Sequence, residues 1–180
     1  MRVGILCLFF FLVFAIAFSF SGNTATIIIA GEDSVGSWMS GMLLIISATV
    51  SANTAAVRKS YPWLLFTIFF ALLAVDENFM IHEGLKRWIV FWRFEATGEA
   101  VYWIGELPVV AGAFVGAIVA FVMWQHVDQK ARWLIAAGVI FGLISVTMDV
   151  VAYGVMWEDS CKLIGELAVT SALVWDVQKP

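Results

Sequence analysis

The stretch that decides the fold is WLLFTIFFALLAVDENFMIHEG, residues 63–84, in which an apolar run leads directly into a group of charged residues. An ionised side chain at the centre of a membrane helix costs about 2.5–3.5 kcal/mol. Acidic residues in such a helix therefore predict a structure that offsets this cost. The offset can come from charged partners, from protonation or from a bound cation.

The composition of the whole chain predicts an integral membrane protein. Hydrophobic residues make up 62% of its 180 residues, and charged residues only 13%. Several apolar runs approach the roughly 20 residues that cross a bilayer as a helix. We therefore expect an all-α helical bundle that forms a single transmembrane domain surrounded by lipid. The net charge of −4 argues against a nucleic-acid partner.

Six transmembrane spans and one interfacial helix account for the apolar runs. The predicted spans cover residues 3–30, 36–57, 62–83, 99–125, 132–154 and 160–177. Residues 84–98 mix basic and aromatic side chains, which predicts a helix that lies in the membrane interface. The first residues resemble a signal peptide, but a further apolar stretch follows them, so we expect an uncleaved first helix. The nine tryptophans fall near predicted span ends, where indoles favour the headgroup region.

The distribution of Lys and Arg predicts that both termini are cytoplasmic. The loops on the side of the termini contain more basic residues than the opposite loops, and the positive-inside rule places the more basic side in the cytoplasm. A bacterial inner membrane is the expected location. The basic residues are Arg2, Arg58, Lys59, Lys130, Arg132 and Lys179 on the terminal side, and Lys86, Arg87, Arg93 and Lys162 on the other.

Two patterns of small residues predict close helix packing. GAFVG at 112–116 and GVIFG at 138–142 place glycines four positions apart, which allows two membrane helices to approach closely. We expect these patterns to bring the fourth and fifth spans together.

Three predicted spans carry acidic residues seven positions apart, one near the outer end and one deeper. Seven residues make nearly two helical turns, so each pair lies on one helix face, about 10 Å apart. The deeper acids are expected to form a carboxylate ring in the outer half of the bilayer. The pairs are Glu83 with Asp76, Glu99 with Glu106 and Asp159 with Glu166, and the fifth span adds the deep acid Asp149.

A divalent metal ion is the expected partner of this ring. No Lys or Arg lies in the middle of a predicted span, and the basic residues near the outer ends are expected to reach only the rim acids. The deep acids then need protons or a cation. Di-metal carboxylate bundles usually have two histidine ligands, but this region offers only His82. The identity of the metal therefore stays open among Mn, Fe, Ca, Mg and Zn. The predicted ligands are Asp76, His82, Glu83, Glu106, Asp149 and Glu166, with Glu99 and Asp159 as rim candidates.

Three classes of function stay open at the level of sequence. A metal-dependent membrane enzyme would use the site on a lipid-soluble or interfacial substrate. A transporter would use the acids to load and release protons or a cation, although the spans look closed inward of Asp76 and Glu166. A non-catalytic subunit of a larger membrane complex, or a homo-oligomer, would fit the small size. The sequence contains no P-loop, GxSxG or HExxH motif.

The run DENFMIHE resembles D-(D/E)-x-F-x-x-H-E, a helix signature of small, functionally uncharacterised bacterial multi-pass membrane proteins. The resemblance rests on Asp76, Glu77, Phe79, His82 and Glu83, and it covers one predicted span. It implies that this span is a recurring unit, but it implies no reaction.

Overall fold

The computed structural model describes residues 34–93, 107–151 and 155–177, and every element in these ranges is a helix. The prediction of an all-α fold is confirmed for this part of the chain. The predicted first span and two predicted site residues, Glu99 and Glu106, lie outside the described residues. The helices are α1 (Val35–Arg58), α2 (Tyr61–Phe79), α3 (Ile81–Arg93), α4 (Leu107–His126), α5 (Gln129–Val150) and α6 (Val155–Val177).

Four of these helices, α1, α2, α4 and α5, are long and apolar enough to cross a membrane. Their outer surfaces carry large exposed apolar side chains, such as Leu72 on α2 and Phe114 and Phe121 on α4. Such surfaces are suited to lipid contact and indicate an integral membrane protein. Helix α6 has 23 residues but carries several charged side chains in its first half, and it packs mainly against α5 and α1.

The core contains one face of α2 together with side chains of α1, α4, α5 and α6. On α2 the apolar side chains of this face recur at helical spacing, as expected for a buried stripe. Trp63 is 2% exposed, so it belongs to the core although it lies in the first turn of α2. The core side chains include Trp63, Phe66 and Phe70 of α2, Val119 and Met123 of α4, Ile135 of α5, and Ala172 and Leu173 of α6.

Helix α5 approaches α6 closely at Gly138. A Cβ atom at this position would lie 2.5 Å from Cγ2 of Val169 and 2.9 Å from the carbonyl oxygen of Gly165. The glycine pattern at 138–142 therefore joins α5 to α6. The corresponding position at Gly116 of α4 faces Phe69 of α2, at 3.6 Å. The prediction that both patterns join the fourth and fifth spans is wrong.

A backbone break at Met80 separates α2 from α3. Met80 has φ 50° and ψ 45°, the left-handed conformation that commonly ends a helix. Helix α2 consequently ends at Phe79, four residues before the predicted end of the third span. His82 and Glu83 therefore belong to α3, whose exposed Leu85 and Trp88 give it the amphipathic character of an interfacial helix.

Candidate functional site

Asp76 and His82 form a pair across the break at Met80. Asp76 Oδ1 accepts a hydrogen bond from the backbone N–H of His82 at 2.8 Å, and Asp76 Oδ2 lies 2.9 Å from His82 Nδ1. The carboxylate thereby caps the N-terminus of α3, where backbone donors and the helix dipole favour negative charge. An uninterrupted helix would place His82 about a third of a turn away from Asp76. The break brings the two side chains together.

Lys86 bridges two predicted metal ligands, Glu83 and Asp149. Its Nζ atom lies 3.1 Å from Oε1 of Glu83 and 3.6 Å from Oδ2 of Asp149. Asp149 is in the last turn of α5, because this helix ends at Val150 and not at the predicted residue 154. The predicted deep position of Asp149 is therefore wrong, and a basic side chain does reach this acid.

Lys162 pairs with Glu77 and joins α6 to α2. The Lys162 ammonium group contacts Oε2 of Glu77, and the hydroxyl of Ser37 donates to Oε1 of Glu77 at 3.3 Å. The Glu77 side chain is only 11% exposed. This acid is largely shielded from solvent and depends on Lys162 for its stabilisation.

Glu166 is the deepest acid among the described residues of the charged half of α6. The hydroxyl of Ser40 on α1 donates to its Oε1 at 2.8 Å. Its Oε2 atom is buried and has no hydrogen-bond partner within the described residues. Glu166 therefore retains an acceptor site that a proton, a water molecule or a cation can occupy.

The described acids pair with basic or hydroxyl groups more than they converge on one another. Within residues 34–93, 107–151 and 155–177, no three His, Cys, Asp or Glu side chains are grouped so that they could hold a metal ion. Glu106 and Glu99 lie outside these ranges, so the metal site as a whole stays a prediction.

Glu158 stands in the first turn of α6, ahead of the predicted span 160–177. Burial, followed by the negative charges of Asp149 and Asp159, raises the pKa of Glu158 from 4.5 to about 7. The charged end of the bundle therefore contains a carboxyl group that exchanges a proton near neutral pH.

A line of polar side chains, here called the polar seam, follows the contact between α1 and α6. Most of them are buried, Ser37 and Glu166 are partly buried, and Arg58 at one end is exposed. On α1 its members recur three, four or seven positions apart, which places them on one helix face. From Ser37 to Arg58 this face extends about 30 Å, close to the thickness of the hydrocarbon core. The polar seam consists of Ser37, Ser40, Ser47, Ser51, Thr54 and Arg58 of α1 with Glu166, Thr170 and Asp176 of α6.

Hydroxyl groups fill the middle of the polar seam. The hydroxyls of Ser47 and Thr170 are hydrogen-bonded at 2.8 Å, and Thr170 also donates to the backbone carbonyl of Glu166 at 2.7 Å. Ser51 is fully buried, and its hydroxyl has no partner within the described residues. At the far end, Arg58 Nη1 donates to Oδ2 of Asp176 at 2.8 Å.

Reasoning from the sequence missed the polar seam. It treated the spans as closed inward of Asp76 and Glu166. The helical spacing of the hydroxyls on α1 was the available signal. Their pairing with α6 depends on tertiary contacts, which the sequence does not display.

No curated protein and no solved structure matches the chain. The sequence does match one family over residues 3–177, nearly its whole length. The chain belongs to the family of the domain of unknown function DUF8692.

Proposed function

We propose that the protein carries protons across the bilayer along the polar seam, with Glu166 as the group that takes up and releases the proton. The observation that supports this proposal is the extent of the seam. Polar side chains follow the α1–α6 contact from Ser37 and Glu166, near the charged end, through the buried Ser47, Ser51, Thr54 and Thr170 to the Arg58–Asp176 pair at the opposite end. Polar groups inside a membrane are costly, and they commonly mark proton or ion pathways.

The chemistry of the seam suits proton transfer. A proton that binds the free Oε2 of Glu166 converts the carboxylate to a neutral acid, and its departure restores the carboxylate. A hydroxyl group can both donate and accept a hydrogen bond, so each hydroxyl beyond Glu166 is able to receive one proton and release another. The unpartnered hydroxyl of Ser51 offers a bonding site for water between Thr170 and the far end.

The proposed topology has six spans, with both termini in the cytoplasm of a bacterial inner membrane. Helix α6 would provide one of them through residues 160–177, which extend about 27 Å. Its polar side chains Glu166 and Thr170 contact α1 and so avoid the lipid. The greater number of Lys and Arg residues on the terminal side supports this orientation.

A divalent-cation site that serves a membrane enzyme is the second candidate. The buried and unpartnered Oε2 of Glu166 supports it, since a carboxylate oxygen is a suitable ligand for a hard cation. In this alternative the acids of the charged end and Glu106 supply further ligands.

Proton flux into liposomes tests the first proposal. The purified protein is reconstituted with a pH-sensitive dye inside the vesicles, and a potassium diffusion potential drives proton entry. We expect the wild type to acidify the lumen and Glu166→Gln to lose this activity. The matched control Glu83→Gln changes the same type of group on the interfacial helix and should retain it. A wild type without flux contradicts the proposal and leaves the divalent-cation site and a non-catalytic subunit of a larger membrane complex as the alternatives.

A further inference from the structure

Asp176 ties three helix ends together at the end of the bundle opposite the charged groups. Its Oδ2 accepts a hydrogen bond from Arg58 Nη1 at 2.8 Å, and its Oδ1 accepts one from the backbone N–H of Asp128 at 2.8 Å. Arg58 Nη2 also donates to the backbone carbonyl of Asp176 at 3.3 Å. The contacts link the C-terminal turn of α1, the C-terminal turn of α6 and the residue that caps α5.

The environment of this pair holds Arg58 in place above the core. The Arg58 guanidinium lies over the Trp63 ring, 5.4 Å from its centroid, a distance at which a cation and an indole attract each other. Trp63 and Asp176 are both buried, whereas the Arg58 side chain is 38% exposed. Arg58 therefore faces solvent on one side and the buried carboxylate on the other.

Directly behind the pair lie the last hydroxyls of the polar seam. Thr54 is one helical turn before Arg58 and is 3% exposed, and Ser51 is fully buried. The hydroxyl of Thr54 donates to the carbonyl of Val50 at 2.8 Å, a bond within α1 that does not hold α1 to α6. Among the described contacts at this end, the Arg58–Asp176 pair is the direct polar link between the two helices.

We propose that the Arg58–Asp176 ion pair closes this end of the polar seam, and that its separation admits water to Thr54 and Ser51. The inference rests on the proposed proton pathway, since a pathway needs an exit at this end. Asp176 and Arg58 are positioning residues in this proposal, because they control access to the seam without carrying the proton.

The test measures water access at Thr54 and does not depend on proton flux. Thr54→Cys is introduced into a background with Cys7→Ser and Cys161→Ser, and its labelling by a membrane-impermeant methanethiosulfonate reagent is timed. Labelling should be slow with the ion pair intact. Asp176→Asn should accelerate it about tenfold, because the neutral side chain loses a charge-assisted hydrogen bond to Arg58.

Two controls separate local opening from general loosening of the fold. Ser40→Cys, near the charged end, should be labelled at the same rate with and without Asp176→Asn. Arg58→Lys keeps a positive partner for Asp176, so Thr54→Cys should label more slowly with Arg58→Lys than with Arg58→Gln. If Thr54→Cys labels at the same rate with and without Asp176→Asn, the proposed closure is overturned, whether or not the wild type carries protons.

Discussion

Replacement of Lys162 by methionine tests whether basic partners stabilise the acids at the charged end. The substitution removes the ammonium group that pairs with Glu77. It also removes the positive charge that lies close to Glu166. Exposed ion pairs contribute about 0.2–1 kcal/mol, whereas removal of one partner from a buried pair costs about 3–5 kcal/mol. Glu77 is 11% and Lys162 is 32% exposed at the side chain. We therefore expect Lys162→Met to lower the free energy of unfolding by about 2–3 kcal/mol.

Thermal unfolding in detergent micelles measures this loss. A protein of this size loses about 2–4 °C in Tm for each kcal/mol, so the expected decrease is about 4–12 °C. The double variant Lys162→Met/Glu77→Gln should recover part of the loss, because it removes the unpaired charge. Lys59→Met, at an exposed position at the end of α1, is the matched control. If Lys162→Met and Lys59→Met unfold within about 0.5 kcal/mol of each other, the pairing does not stabilise the fold.

The remaining predictions concern helix packing, protonation and metal content. Gly138→Ala should destabilise the protein by about 1–3 kcal/mol through overpacking against α6. Gly142→Ala, where the added methyl group meets open space, should change stability by less than about 1 kcal/mol, and equal effects in denaturant titrations would contradict the close packing. Between pH 4.5 and about 7 the folded state holds more protons at Glu158 than the unfolded state does, so this group's contribution to stability falls as pH rises. Glu158→Gln should therefore stabilise the protein at pH 8, by ~1 kcal/mol after solvent screening, and a pH profile of Tm that matches the wild type would contradict this. Elemental analysis should find no stoichiometric divalent metal in the wild type, whereas a metal that is lost in a folded Asp76→Ala/Glu106→Ala variant would establish the alternative metal site.

The helical membrane fold was predictable because its signal is spread over many residues. A long apolar run indicates a segment in lipid, and such a segment forms a helix because its backbone groups must then bond to one another. The break at Met80 was not predictable in this way. Methionine is a good helix former, yet Met80 adopts the left-handed conformation, with φ 50°. Because the helix ends before Met80, His82 belongs to α3 and its side chain contacts Asp76.

The sequence drew attention to Asp76, Asp149 and Glu166, but not to their partners. It did not single out Glu77, Glu158 or Asp176 as site residues. Helical spacing showed which acids share a face, since that depends on one helix at a time. The pairs of Lys86 with Asp149 and of Lys162 with Glu77 join different helices. Long lysine side chains reach well beyond their own helix turn. The expectation that they reach only rim acids therefore left out the contact of Lys86 with Asp149.

Removal of two hydroxyls from the middle of the polar seam tests whether the seam is the path of the proton. Ser47→Ala/Thr170→Val eliminates the hydrogen-bonded pair between α1 and α6, and Thr49→Ala removes an exposed hydroxyl from the same stretch of α1. Flux into liposomes is measured for both variants under the same potassium diffusion potential. A hydrogen bond contributes about 0.5–1.5 kcal/mol, so the double variant should carry protons roughly two- to tenfold more slowly than Thr49→Ala, which should match the wild type. Equal flux in all three proteins would show that protons do not pass along the polar seam.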